Sequence, residues 1–133
     1  MRVADLMRTD VYSVPADAPV RDAVTMMADA HVSGLPVVDG AGKVIGVITA
    51  TDVLQAEAEL EGGRAREQLF TDTAVRELMS SPPHLLAPDD DVRAAAQSML
   101  YAEVRRLFVA EEGELVGVIS QTDIVDALAN GRL

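Results

Sequence analysis

Apolar residues recur along this chain with two periods. Val20, Ala23, Val24 and Met27 fall on one face of a helix, and their spacing predicts a helix from about Val20 to Ala30. Val92, Ala95, Ala96, Met99 and Leu100 repeat that pattern farther on. After each helix come two short apolar runs that predict a strand hairpin. The first pairs residues 35–38 with 43–48 around Asp39-Gly40-Ala41-Gly42; the second pairs 107–110 with 114–119 around Glu111-Glu112-Gly113. A short helical start (3–7; 75–79) and an extended piece (11–14; 85–87) precede each helix, punctuated by Pro15 and Pro19, or by Pro88. A last helix is expected from about Thr51 or Thr122 to near Glu61 or Ala129, with Gly62 and Gly131 as stop signals.

The two halves are copies. At a shift of 72 residues, Val3, Leu6, Met7, Asp17, Val20 and Arg21 meet Val75, Leu78, Met79, Asp89, Val92 and Arg93. One residue removed from the first hairpin turn changes the shift to 71, and Gly46, Val47, Ile48, Thr51 and Asp52 meet Gly117, Val118, Ile119, Thr122 and Asp123. Such agreement with a single gap marks a duplication. The expected organisation is one repeat over residues 1–61, a polar linker over 62–74 with one or two helical turns, and a second repeat over 75–133. A β-α-β-β-α unit of roughly 55 residues is too small to bury both faces of its sheet alone. The fold class expected is therefore α+β or α/β, two such repeats packed through their sheets.

Composition narrows the function. Hydrophobic residues make up 49% of the 133, enough for a core, and with only 3% aromatics that core must be aliphatic. The net charge of −11 disfavours nucleic acid and anionic membranes, both of which are gripped by clustered Lys and Arg. With no cysteine there are no disulfides, thiolate metal sites or thiol nucleophiles. Neither a signal-peptide run at Met1 nor a span-length apolar stretch is present, so a cytoplasmic protein is the expectation. No nucleophile has a paired base, no metal cluster appears, and Asp52 and Asp123 are too far apart in the duplicated design to act as a dyad. The expectation is not an enzyme.

The runs LPVVDGAGKVIGVITATDV and LFVAEEGELVGVISQTDI, with the openings VADLM and VRELM, resemble the CBS (cystathionine β-synthase) domain in two tandem copies. The resemblance covers residues 3 to about 130. It implies a CBS pair, or Bateman module, its repeats related by a pseudo-two-fold axis, with clefts between paired sheets that take AMP, ADP, ATP or S-adenosylmethionine, and no required cofactor. It also implies pairing of two modules into a homodimer and regulation of an unknown partner protein. The alternative is a ligand-free dimerisation or protein-interaction scaffold.

Candidate binding residues concentrate where the last strand of each repeat meets its helix. A helix N-terminus offers unpaired N–H groups and positive dipole to a phosphate. Thr49, Thr51, Ser120 and Thr122 add hydroxyls, and the resemblance gives Asp52 and Asp123 the ribose. A Thr, Ser or Asp at such a place also serves as an ordinary helix cap. Tyr12, Val14, Leu35 and Pro36, with Val11, are candidates for the base, as are Leu85, Leu86, Leu107 and Phe108 in the other copy. Phe108 stands at the position matching Pro36, where the resemblance implies a proline, and adds bulk there. Arg106, beside Arg105, is the candidate phosphate cation, where the first repeat has Ser33-Gly34. So few cations favour a monophosphate or a thioether-type adenosine ligand over a triphosphate, unless Mg²⁺ screens the latter. His31 and His84 lack ligand-spaced partners, Asp89-Asp90-Asp91 reads as helix capping, and Met26, Met27 and Met99 read as core.

Overall fold

The computed structural model describes residues 1–133. Each repeat forms a three-stranded sheet with helices. In the first, β1 (Val14–Pro15), α1 (Val20–Ala30), β2 (Gly34–Val38), β3 (Val44–Thr49) and α2 (Ala50–Ala58) follow one another, then α3 (Gly63–Asp72). In the second come β4 (Leu85–Leu86), α4 (Val92–Ala102), β5 (Arg106–Glu111), β6 (Glu114–Ser120) and α5 (Gln121–Ala129). The strand orders are β1-β2-β3 and β4-β5-β6. β1 runs parallel to β2, as the intervening helix requires, and the hairpin β2–β3 is antiparallel; β4, β5 and β6 repeat this. No helix is long and apolar enough to cross a membrane.

The compact units do not coincide with the sequence repeats. One unit is residues Tyr12–Pro83; the other joins Met1–Val11 to His84–Leu133. Each short opening segment has left its own repeat. In the first unit the 3-10 turn Val75–Glu77 places Val75, fully buried, in the core with Val14, Val20, Leu35, Val37 and Ile48. In the second unit the turn Val3–Asp5 places Val3 among Leu86, Val92, Met99, Val109 and Ile119. Backbone bonds fix the exchange: Val47 and Ser80 donate to each other's carbonyls at 3.0 and 2.9 Å, and Arg8 and Val118 do so at 2.8 and 2.9 Å. At these crossings only glycine fits. A Cβ on Gly46 would lie 2.7 Å from Met79 Sδ and 2.8 Å from the Ser80 carbonyl oxygen; one on Gly117 would meet Met7 and Arg8 at the same distances.

Helix α1 spans the residues its periodicity predicts, burying Val20, Ala23 and Met27. It ends at His31 and α4 ends at Glu103, each in the left-handed region. Three expectations are corrected. The linker carries a full ten-residue helix, α3, which buries Leu69 and packs Phe70 on the first unit's core. The second correction is that α2 ends at Ala58 and Gly62, at φ +85°, caps the start of α3 rather than stopping α2. Lastly, the final helices start at Ala50 and Gln121, because Thr49 and Ser120 are their caps and not Thr51 and Thr122. That last shift changes which hydroxyls are available.

Candidate functional site

Both helix starts are built on the pattern Thr/Ser-x-x-Asp, which closes a capping box. At α2 the Asp52 N–H donates to Thr49 Oγ1 at 3.2 Å, and the Thr49 N–H donates to Asp52 Oδ2 at 2.8 Å. At α5 the Asp123 N–H donates to Ser120 Oγ at 3.2 Å, while the Ser120 N–H and hydroxyl both donate to Asp123 Oδ2 at 2.9 Å. The carbonyl of the residue before the hairpin takes one more donor in each unit: Ala50 N–H bonds Ser33 O, and Gln121 N–H bonds Arg105 O. Two donors of each first turn are thus satisfied internally. What remains for a ligand is the N–H and exposed hydroxyl of Thr51 or of Thr122.

From here the two corners diverge. Asp52 is half-buried, and its second oxygen, Oδ1, accepts no hydrogen bond. The Thr49 hydroxyl accepts from Asp52 N–H but keeps its own hydrogen to donate. Neither corner oxygen meets a cation. In the second unit Arg8 Nε donates to Asp123 Oδ1 at 3.1 Å, with the Asp123 side chain only 9% exposed. Both carboxylate oxygens are therefore engaged, and the Ser120 hydrogen is spent. That hydrogen bond, and then the charge of Asp123, raise the Arg8 guanidinium above its ordinary pKa.

The remaining predicted residues fall into three places. Val14, Leu35 and Pro36 are buried; Val14 pairs with Val37 and Leu35 with Ile48, so they build the sheet under the Asp52 corner. Tyr12 is 60% exposed and lines a groove of about 530 Å³ with Arg21, Asp22, Met26 and Asp29 of α1, and none of Thr49, Thr51 or Asp52 lines it. Arg106 stands directly across the ladder from Ser120, which puts the two side chains on one face, whereas Gly34 faces Thr49. Phe108 is buried and paired with Val118. The acidic run is occupied locally: Asp90 accepts from Ala87 N–H at 2.8 Å, Asp91 from Arg93 N–H at 3.3 Å, and Asp89 from Arg2 Nη1 at 3.0 Å. Sequence reasoning missed Arg8. Its signal was present, since the 72-residue shift sets Arg8 against Ser80.

A model of the CBS domain matches this chain twice, at residues 3–59 and 75–130. The CBS domain-containing protein YhcV of Bacillus subtilis is 28% identical over 130 residues, a match spanning 96% of this chain and 86% of YhcV. The chain spans 91% of the uncharacterized protein MJ1426 of Methanocaldococcus jannaschii, at 25% identity and 96% of its own length. It spans only 14% of the A-adding tRNA nucleotidyltransferase of Aquifex aeolicus, at 24% identity and likewise 96% of its own length. Among solved structures, CBSX2 of Arabidopsis thaliana in complex with AMP superimposes with a TM-score of 0.83 at 26% identity, covering 99% of this chain and 98% of CBSX2. The CBS domain pair of protein MJ0100, in complex with 5-methylthioadenosine and S-adenosyl-L-methionine, shares the fold at TM-score 0.81 and 21% identity, over 100% of this chain and 98% of that one.

Proposed function

The chain belongs to the CBS domain family, and from that premise we propose that it is a regulatory module taking an adenosine-containing ligand at the Thr49–Asp52 corner. The observation that carries the reading is the open Oδ1 of Asp52, standing beside the unengaged N–H and hydroxyl of Thr51. An ionised carboxylate with a free oxygen accepts ribose hydroxyls, and a bond to a charged group is worth about 1.5–3 kcal/mol. Thr51 and the positive end of α2 then face a phosphate. The binding of AMP by CBSX2 supports the ligand class. With a net charge of −11 and no cation at this corner, AMP or S-adenosylmethionine suits it better than ATP.

Val14, Leu35 and Pro36, buried in the sheet, back the base side, whereas Tyr12 lies apart from the corner in the groove along α1. Arg106 would serve a phosphate only at the other corner. Binding shifts how the module meets a regulated protein, and the role is that of a binding module rather than an enzyme. Pairing of two copies has separate support in Leu100, Tyr101, Val125 and Leu128, exposed on α4 and α5 at 57–93%. Sedimentation equilibrium reads that state directly.

Calorimetric titration with AMP tests the ligand. Asp52→Ala is expected to weaken binding at least about 100-fold, the loss of two charge-assisted hydrogen bonds. An unchanged affinity in Asp52→Ala would refute the ribose assignment.

A further inference from the structure

We infer that Arg8 is the specificity-determining residue that makes the two corners unequal: it occupies the Asp123 carboxylate and closes that corner to a ribose, leaving the diol to Asp52. This rests on the reading above that the corners recognise vicinal hydroxyls. Two equivalent corners arose by duplication, and the main-chain frame of both survives. Residues 8 and 80 make the same pair of backbone bonds to the middle of the last strand, and the preceding methionine sits against a glycine in each. The side chains differ. Arg8 is long enough to lay Nε 3.1 Å from Asp123 Oδ1, whereas Ser80 carries no cation and leaves Asp52 open.

The Asp123 carboxylate is saturated as a result. Oδ2 holds the Ser120 N–H and hydroxyl, and Oδ1 holds Arg8. A ribose diol needs an acceptor oxygen with room in front of it, so it has to break the Arg8 bond and turn the guanidinium out. Nothing buries Arg8 there, since its side chain is 65% exposed while that of Asp123 is 9% exposed. The arm is held by its partner and not by packing, so removing it should not disturb the core. That combination is what a selectivity element requires: a buried recognition group covered by a surface side chain.

The test is calorimetric titration of the full chain with AMP, in wild type and in Arg8→Ser, which copies Ser80. Wild type is expected to bind one AMP per chain, weakened at least about 100-fold in Asp52→Ala. Arg8→Ser is expected to bind two, and the added site should vanish in Arg8→Ser/Asp123→Ala. The reciprocal change, Ser80→Arg, is expected to weaken wild-type binding at least about tenfold, as a charge-assisted bond must then be broken. Two sites in wild type, or no gained site in Arg8→Ser, would overturn the role of Arg8. Should wild type bind no AMP, the Asp52 reading falls by itself. A site gained in Arg8→Ser and lost with Asp123→Ala would then still uphold Arg8, and no gain would overturn it. Thermal melts of each variant, unchanged within a few degrees, separate lost binding from lost folding.

Discussion

At the start of α2 the Asp52 carboxylate holds one backbone N–H and keeps an oxygen open; at the start of α5 the Asp123 carboxylate meets an N–H, a hydroxyl and a guanidinium. Around them the two units keep the same strand order, the same capping box and the same glycine at the crossing. The frame is set by groups that cannot vary without cost: buried valines, glycines under a backbone oxygen, and helix caps. In the function proposed above, ligand chemistry hangs on side chains that the frame merely positions. Residues 8 and 80 are such positions, and so are 34 and 106, where a glycine in one unit answers an arginine in the other. A duplicated protein can therefore let one site diverge while its core stays fixed.

The glycine crossings should break both units equally. Gly46→Val and Gly117→Val each drive a branched side chain into a carbonyl oxygen at 2.8 Å, with the nearest sulfur at 2.7 Å. Backbone has to move, and each substitution is expected to cost about 3 kcal/mol or more. Chemical denaturation of both variants reads this; a small loss at either glycine would mean that the exchanged segment is not held as described.

A smaller effect separates the caps. Thr49→Ala removes one accepted bond, and a cap of that kind is worth about 1 kcal/mol. Ser120→Ala removes an accepted bond and also the hydroxyl donated to Asp123, beside a charge already paired with Arg8. The loss there should exceed that of Thr49→Ala by about 0.5–1 kcal/mol, read from the same denaturation curves. Equal losses would remove the energetic difference claimed between the corners.

Much of the frame was legible in the chain. The 3.6-residue spacing of Val20, Ala23 and Met27 located α1, because those side chains face a core and the helix ends where His31 turns left-handed. Placement of α2 and α5 was one residue late. Both Thr49 and Thr51 are good caps by type, and only the Asp three residues after Thr49 selects it. The helix in the linker was underestimated, since its mean character is polar and only Leu69 and Phe70 dock. Least legible was the exchange of opening segments. Local periodicity is identical whether Val75 packs on its own repeat or on the other, and the choice is made by long-range bonds such as Val47 to Ser80. That Asp52 and Asp123 stand at helix starts was legible in the sequence, but their inequality depends on Arg8 arriving from that exchanged segment.

The inequality of the corners is tested most directly by following backbone and arginine side-chain N–H signals by NMR while AMP is added to the 133-residue chain. The Thr51 amide, the one first-turn donor left open beside Asp52, is expected to shift and saturate at one equivalent. Thr122 and the Arg8 Nε–H are expected to stay where they are. Movement of Thr122 and Arg8 with Thr51 unmoved, or of both corners together, would contradict the account.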